Sequence, residues 1–315
     1  MSRFRTRRAY HLATQRKELR WLVEDLWSDQ AVGVLGGEPK CCKSFCALDV
    51  AVSVAAGTSC LGRYRPAQTG PVLVYAAEDQ QHVVRERLAG ICAARAITFD
   101  ETLDVIAITE PSVRLDIAGD RQYLSATIEA VKPKLVVLDP FVRLHRCNEN
   151  DVQEVAPMLS YLRNLQRRFH CAVLLVHHSR KGGHSRGGQA LRGSSELHAI
   201  GDSNLYLRRK GDRLLLSVEH RAAPSVNDIA VGLRGPPDAL ALSVLDDAQV
   251  NDADAPAPTA ELTDRIVEAL ASGQPLTPRQ LRAVCRVRMA RVYGALRQLT
   301  RDGRVVGNGA GYRLA

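Results

Sequence analysis

Five short apolar runs recur along the first 176 residues of the chain: VGVL at 32–35, PVLVYAA at 71–77, LDVIAI at 103–108, KLVVLD at 134–139 and CAVLLV at 171–176. They are rich in Val, Leu and Ile and do not alternate with polar residues. Strands buried on both faces read this way, so the runs predict a parallel sheet covered on both sides. The segments between them have helical spacing. Residues 44–56 are apolar nearly all round, and Gly57 stands just past the expected helix end, where a left-handed residue is favoured. In 151–169, Val152, Val155, Leu159, Leu162, Leu165 and Phe169 make an apolar stripe, with Asn150 or Asp151 as the expected N-cap. Strand–helix alternation of this kind predicts an α/β, doubly wound domain with a mainly parallel sheet.

After about residue 203 the pattern changes. SNLYLRRKGDRLLLSVEH (203–220) reads as two strands around Lys210-Gly211-Asp212, a hairpin at the edge of the sheet. LDDAQVNDADAPAPTA (245–260) is acidic, rich in Ala and Pro, and has little to bury, as a linker does. The expected organisation is a basic tail at 1–20, an α/β domain at 21–248, a linker at 249–260 and a small module at 261–315.

Charge sharpens this division. The chain of 315 residues carries a formal net charge of +9. Residues 1–20 hold seven Lys and Arg against Glu18, and 261–315 hold ten Arg against Glu261, Asp264, Glu268 and Asp302, so the middle is slightly acidic. Basic ends suit a polyanion, most often nucleic acid, although a solubilising surface has the same composition. The eight cysteines show no zinc spacing, which suits free thiols in a reducing compartment. No apolar run is long enough to span a bilayer, and the N-terminus lacks the apolar stretch of a secretory signal; no membrane partner and a cytoplasmic location are expected.

The chemistry begins at VGVLGGEPKCCKSF (32–45). A phosphate-binding loop follows a strand, opens a helix, turns backbone N–H groups inward and adds a lysine and a hydroxyl. Gly36-Gly37-Glu38-Pro39-Lys40-Cys41-Cys42-Lys43-Ser44-Phe45 supplies all of this except one glycine, whose place is taken by Cys42. A positive φ there would cost a cysteine about 1–2 kcal/mol, roughly tenfold in affinity, which weakens the loop without abolishing it. The lysine charge is read as solvated until phosphates arrive. Three further strands end in polar residues: Asp139 closes KLVVLDP, Glu78 and Asp79 close VYAAED, and His177-His178 close LLVHHS. Carboxylates at the C-terminal edge of a parallel sheet stand where ligands bind in such folds. A thiol at a helix start beside Lys43 is either an inert cysteine or a reactive one of lowered pKa.

With GEPKCCKS, YAAED, VVLDP, VHHS and LRGSSEL in hand, the chain resembles RecA-like P-loop ATPases, in the branch containing the hexameric plasmid replicative helicase RepA. The resemblance covers 20–245. It implies ATP and Mg2+ as ligands, with Lys43 and Ser44 at the triphosphate and metal and Asp139 as the Walker B carboxylate. It implies Glu78 as the carboxylate that orients the attacking water, His178 as the γ-phosphate sensor, and Arg221 as an arginine finger reaching a neighbouring subunit. Glu219 stands where the family more usually has a basic residue. A homo-oligomer, by family habit a hexameric ring, follows from sites shared between subunits.

Two segments suit DNA. The stretch after His178, SRKGGHSRGGQALRGSS, has basic residues, glycines and no acid. By the resemblance it lines the channel of the ring, with Arg180, Lys181, Arg186 and Arg192 as contacts to a single strand; a solvated surface loop is the alternative. The module 261–315 resembles a winged helix-turn-helix. Leu262, Ile266, Val267 and Leu270 line its first helix, closed by Gly273; Pro278 opens a second; a third runs from about Arg288 with Val292, Leu296 and Leu299 inward. A hairpin with a glycine-rich tip follows. Arg291 and Arg297 would meet duplex DNA, unless the module serves protein contacts. The function expected is DNA remodelling by a helicase, loader or recombination-type motor, with an ATP-switched DNA-binding regulator or scaffold as the alternative. A small-molecule kinase lacks an evident acceptor site.

Overall fold

The computed structural model describes residues 7–11, 19–178, 196–210, 213–245, 260–271, 274–285, 287, 292, 295–296, 298–300, 302–308 and 311–315. Most of the basic tail, the linker, the segment carrying Arg180, Lys181, Arg186 and Arg192, and also Gly273, Arg291 and Arg297, lie outside the described residues.

The strands in chain order are β1 (Trp21–Val23), β2 (Trp27–Ser28), β3 (Val32–Gly37), β4 (Val72–Ala76), β5 (Val105–Ala107), β6 (Leu135–Asp139), β7 (Ala172–His178), β8 (Ser203–Lys210), β9 (Arg213–His220), β10 (Val226–Arg234), β11 (Ala241–Val244), β12 (Val305–Asn308) and β13 (Gly311–Leu314). The helices are α1 (Lys43–Ala56), α2 (Gln81–Ala94), α3 (Ala118–Val131), α4 (Val152–Phe169), the single turn α5 (Glu196–Ala199), α6 (Ala260–Leu270) and α7 (Pro278–Cys285).

The main sheet has nine strands in the order β11-β10-β9-β8-β3-β7-β6-β4-β5. The pairs β3–β8, β3–β7, β6–β7, β4–β6 and β4–β5 are parallel. The four strands expected to end in functional residues, β3, β7, β6 and β4, are consecutive neighbours and run the same way. Their continuous apolar character follows, since β3, β6 and nearly all of β7 are buried. An apolar core of Leu73, Leu115, Ile128, Val136, Leu138, Phe141, Val155, Leu162 and Val173 joins the sheet to α3 and α4.

Local signals act where the residues place them. Gly57 ends α1 at φ 74°, donating its N–H to the Ser53 carbonyl. The Asp151 carboxylate caps α4 by accepting from the Gln153 N–H at 2.8 Å. Two readings are corrected. Val152 is 45% exposed and is not part of the buried stripe of α4, because the first helical residue precedes the turn that faces the core. The β8–β9 pair does not form the edge of the sheet: β10 and β11 continue it, and the edges are β11 and β5. No helix among the described residues is long and apolar enough to cross a membrane.

The molecule resolves into two compact units, one of 1–208, 216–228 and 233–243, the other of 209–215, 229–232 and 244–315. Within the second, Leu262, Ile266, Leu270, Leu281, Cys285, Val292, Ala295, Leu296, Leu299 and Val305 form a separate apolar core. Residues 292, 295–296 and 298–300 are helical, with 292, 295, 296 and 299 turned inward. β12 and β13 pair antiparallel, from Val305 opposite Leu314 to Asn308 opposite Gly311.

Candidate nucleotide site

The loop between β3 and α1 is held open by its backbone. Cys42, the residue in place of a glycine, has φ 58° and ψ 26°, and Lys40 has φ 64°. Both stand in the left-handed region. The conformation that a glycine would supply is therefore present without it, at the steric cost that a Cβ brings there. Left-handed residues in such a loop help to turn backbone N–H groups to one side, which makes a concavity for an anion. Gly37 is required for another reason: a Cβ on it would stand 2.4 Å from the Leu207 carbonyl oxygen of the adjoining strand β8.

Lys43 is not solvated, contrary to the sequence expectation. It is 6% exposed, and its Nζ folds back to donate to the Glu38 carbonyl at 2.8 Å. Burial lowers its pKa, partly opposed by the neighbouring Cys41, Asp139, Glu78 and Cys42. Asp139, at the end of β6, is 8% exposed, and burial pushes its carboxyl up to about 6. A hydrogen bond from Ser44 and the charge of Lys43 oppose that shift, while Asp79 and Glu78 add to it. The pairing of Ser44 with Asp139 puts a hydroxyl and a carboxylate, both hard oxygen donors, beside a buried ammonium. These residues fit a triphosphate with a magnesium ion.

Glu78 follows β4. Its backbone is tied to the same edge, since the Ala77 N–H donates to the Asp139 carbonyl at 2.7 Å. The Glu78 carboxylate accepts from Arg143 Nε at 2.8 Å. Asp79 pairs with Arg87 Nη1 at 2.5 Å, and the Arg87 guanidinium lies 5.3 Å from the ring centroid of Phe45, directly after Ser44. Glu38 is half-buried, Pro39 and Lys40 are exposed, Cys41 is buried and Cys42 half-buried.

His178 ends β7 directly opposite Gly37 in the parallel register, and His177 stands opposite Gly36. His177 is 1% exposed and packs edge-on to Phe141, with ring centroids 6.0 Å apart. His178 is the less buried of the two.

Arg221 is elsewhere. Its backbone N–H donates to the Asp202 carbonyl at 2.9 Å, and its Nη2 donates to the Ala199 carbonyl at 2.6 Å. Asp202 in turn accepts from the N–H of Val32, the first residue of β3. Arg221 thus lies at the start of the strand whose far end carries the loop, and the five steps of β3 span about 16 Å. It is separated from the loop of its own chain by the length of the sheet. Glu219 is 3.8 Å from His198 Nδ1.

Sequence reasoning brought Lys43, Ser44, Glu78, Asp139 and His178 to one edge of the sheet. It missed Arg87 and Arg143. Arg143 is four residues past Asp139, in a turn with no periodicity to mark it; its nearness to a polar strand end was the one available signal. Among the described residues no group of three or more His, Cys, Asp or Glu is placed to hold a metal ion.

The fold matches solved structures. The RadB recombinase superposes with a TM-score of 0.50 at 16% identity, over 69% of this chain and 92% of that one. A KaiC-like protein from the hyperthermophilic archaeon Pyrococcus horikoshii OT3 gives a TM-score of 0.47 at 14% identity, over 70% and 93%. The AAA domain family AAA_25 matches residues 2–184, a span that includes the loop, Glu78, Asp139 and His178. A P-loop variant opening α1, a buried carboxylate closing β6 and this match lead to one conclusion: the chain belongs to the AAA domain family AAA_25 and carries a RecA-like P-loop ATPase fold.

Proposed function

We propose that this chain is a magnesium-dependent ATPase acting on DNA, a helicase or remodelling motor of the RecA/RepA kind, in replication or recombination of a mobile element. The observation that carries the reading is the shared burial of Lys43 and Asp139 beside a loop whose Cys42 holds the left-handed turn. A buried ammonium and a buried carboxylate are costly to maintain, and a triphosphate with its metal offsets both.

In this mechanism Gly37, Glu38, Pro39, Lys40, Cys41 and Cys42 form the cradle, and Phe45 shields its entry. Lys43 turns from the Glu38 carbonyl to the outer phosphates. Ser44 and Asp139 would hold the magnesium ion, which supplies positive charge to the transferring phosphoryl group. Glu78 accepts a hydrogen bond from the attacking water and so fixes its orientation. His178, level with Gly37, senses the terminal phosphate. Arg221, remote from its own loop, serves the site of a neighbouring copy, which makes the working form a homo-oligomer, in our reading a hexameric ring. Arg180, Lys181, Arg186 and Arg192 hold a single strand. The C-terminal module acts as a winged helix, with Arg291 and Arg297 toward duplex DNA, and 249–260 tethers it.

A second reading, an ATP-switched DNA-binding regulator with slow or no hydrolysis, draws on the engagement of Glu78 by Arg143. ATP hydrolysis measured on size-separated oligomers, with and without single-stranded DNA, separates the two. A motor turns over ATP and is stimulated by DNA; turnover near zero in both conditions favours the regulator. Glu78→Gln should retain ATP and lose turnover.

A further inference from the structure

The Glu78 carboxylate is the group that the proposed hydrolysis needs free, and it is held. Arg143 Nε donates to its Oε1 at 2.8 Å. Arg143 is fixed from behind, because it ends the turn Phe141–Arg143 that follows Asp139-Pro140. Phe141 in that turn is fully buried and packs on His145 and on His177 of β7, with centroids 4.5 and 6.0 Å apart. The turn therefore presents the guanidinium from a rigid base. The guanidinium itself is open: its side chain is 62% exposed and that of Glu78 is 42% exposed.

We infer that Arg143 is a positioning residue that latches Glu78 and releases it when a phosphate group takes the guanidinium. This rests on the reading of Glu78 as the water-orienting carboxylate. Three arguments support it. A carboxylate oxygen that accepts a charge-assisted hydrogen bond is held at that donor and is oriented by it, not by a water. Nε uses one of the five N–H donors of the guanidinium, and the others form a fork suited to a phosphate. The pair is exposed on both sides, so it is weak and exchangeable; exposed ion pairs bias their partners by no more than about fivefold. A latch of that strength suits a switch, since an incoming anion can displace it.

The phosphate has two possible sources, the nucleotide or the backbone of a DNA strand, and the experiment separates them. Full-length Arg143→Ala and Arg143→Gln are compared with the parent protein in ATP turnover, with and without a single-stranded oligonucleotide, and Arg143→Lys serves as the conservative variant. The expected result is a rise of about two- to fivefold in DNA-free kcat, with KM for ATP unchanged where DNA is the releasing anion and raised where the nucleotide is, and a return to the parent rate in the lysine variant. A simultaneous loss of DNA stimulation identifies DNA as the releasing anion. Stimulation kept in full identifies the nucleotide. An unchanged or lowered DNA-free kcat in both neutral variants overturns the latch, as does a lysine variant that behaves like alanine. Glu78→Gln is the control: turnover in the parent that survives this change removes the role of Glu78 and the latch with it, whereas turnover lost in Glu78→Gln but indifferent to Arg143 removes the latch alone.

Discussion

Replacing Cys42 by glycine should stabilise the protein by about 0.5–1 kcal/mol. A non-glycine residue held in the left-handed region costs about 1–2 kcal/mol, and Cys42 is held there at φ 58°. Glycine removes that cost but brings back about 0.5–1 kcal/mol of backbone freedom in the unfolded chain. The thiol is only half-buried, so its loss leaves little void. Urea unfolding should show a higher midpoint at unchanged slope. ATP affinity by calorimetry should be unchanged or tighter by at most about fivefold, the equivalent of 1 kcal/mol. Cys42→Ala is the comparison, because alanine keeps the Cβ and its strain and removes only the sulfur; its stability should stay within about 0.5 kcal/mol of the parent. A lower midpoint in Cys42→Gly, or an affinity loss beyond tenfold, refutes the argument and gives the thiol a contact worth more than the strain. If alanine shows the same loss, the sulfur is responsible.

Lys43→Ala should abolish ATP hydrolysis without lowering the melting temperature, because the ammonium removed is buried, its pKa lowered by that burial; a turnover assay and thermal melts check both parts. On the proposed function, Asp139 should make magnesium binding pH-dependent. Its carboxyl titrates at about 6 in the fold against 3.8 as its ordinary value, so between these pH values the folded chain keeps a proton that the unfolded chain has released. Stability should therefore fall as pH rises through that window while magnesium affinity rises through it, and Asp139→Asn should flatten both trends in pH-resolved unfolding and metal titrations. Residues 249–315 expressed alone should fold on their own apolar core and bind duplex DNA with a steep salt dependence, weakened by Arg291→Ala and Arg297→Ala; no binding at low salt would reassign the module to protein contacts.

The parts of the fold that could be read from the sequence are those in which one physical demand dominates. β3, β6 and β7 are buried on both faces, so nothing but apolar residues serves, and the runs stand out. Gly57 was readable because a left-handed C-cap strongly favours glycine. β10 was not, since its burial is mostly exposed or intermediate, and β11 has only four residues. No period-2 signal survives in a strand that buries so little. Val152 misled because helical spacing says which residues share a stripe, not where the core begins. At the candidate site, residue identity pointed to Lys43, Ser44, Glu78 and Asp139, whereas the burial of Lys43 and Asp139 is not encoded in spacing. Lys43 was read as solvated for that reason. Arg143 was invisible because its contact is with a residue 65 positions earlier in the chain.

The register of β7 on β3 has a mechanical consequence. Val173 to His178 lie rung by rung beside Val32 to Gly37, and the other side of β7 is laddered to β6. The chain leaves β7 at His178, level with the last residue before the phosphate loop. A load along the strand axis at that point would fall on the hydrogen bonds of both flanks in shear, so they could not be unzipped one at a time. A strand laddered on both flanks in this way resists sliding and holds Gly37 in register with His178. Any load passed to His178 would therefore be borne beside the mouth of the loop, with no flexible connection between the two.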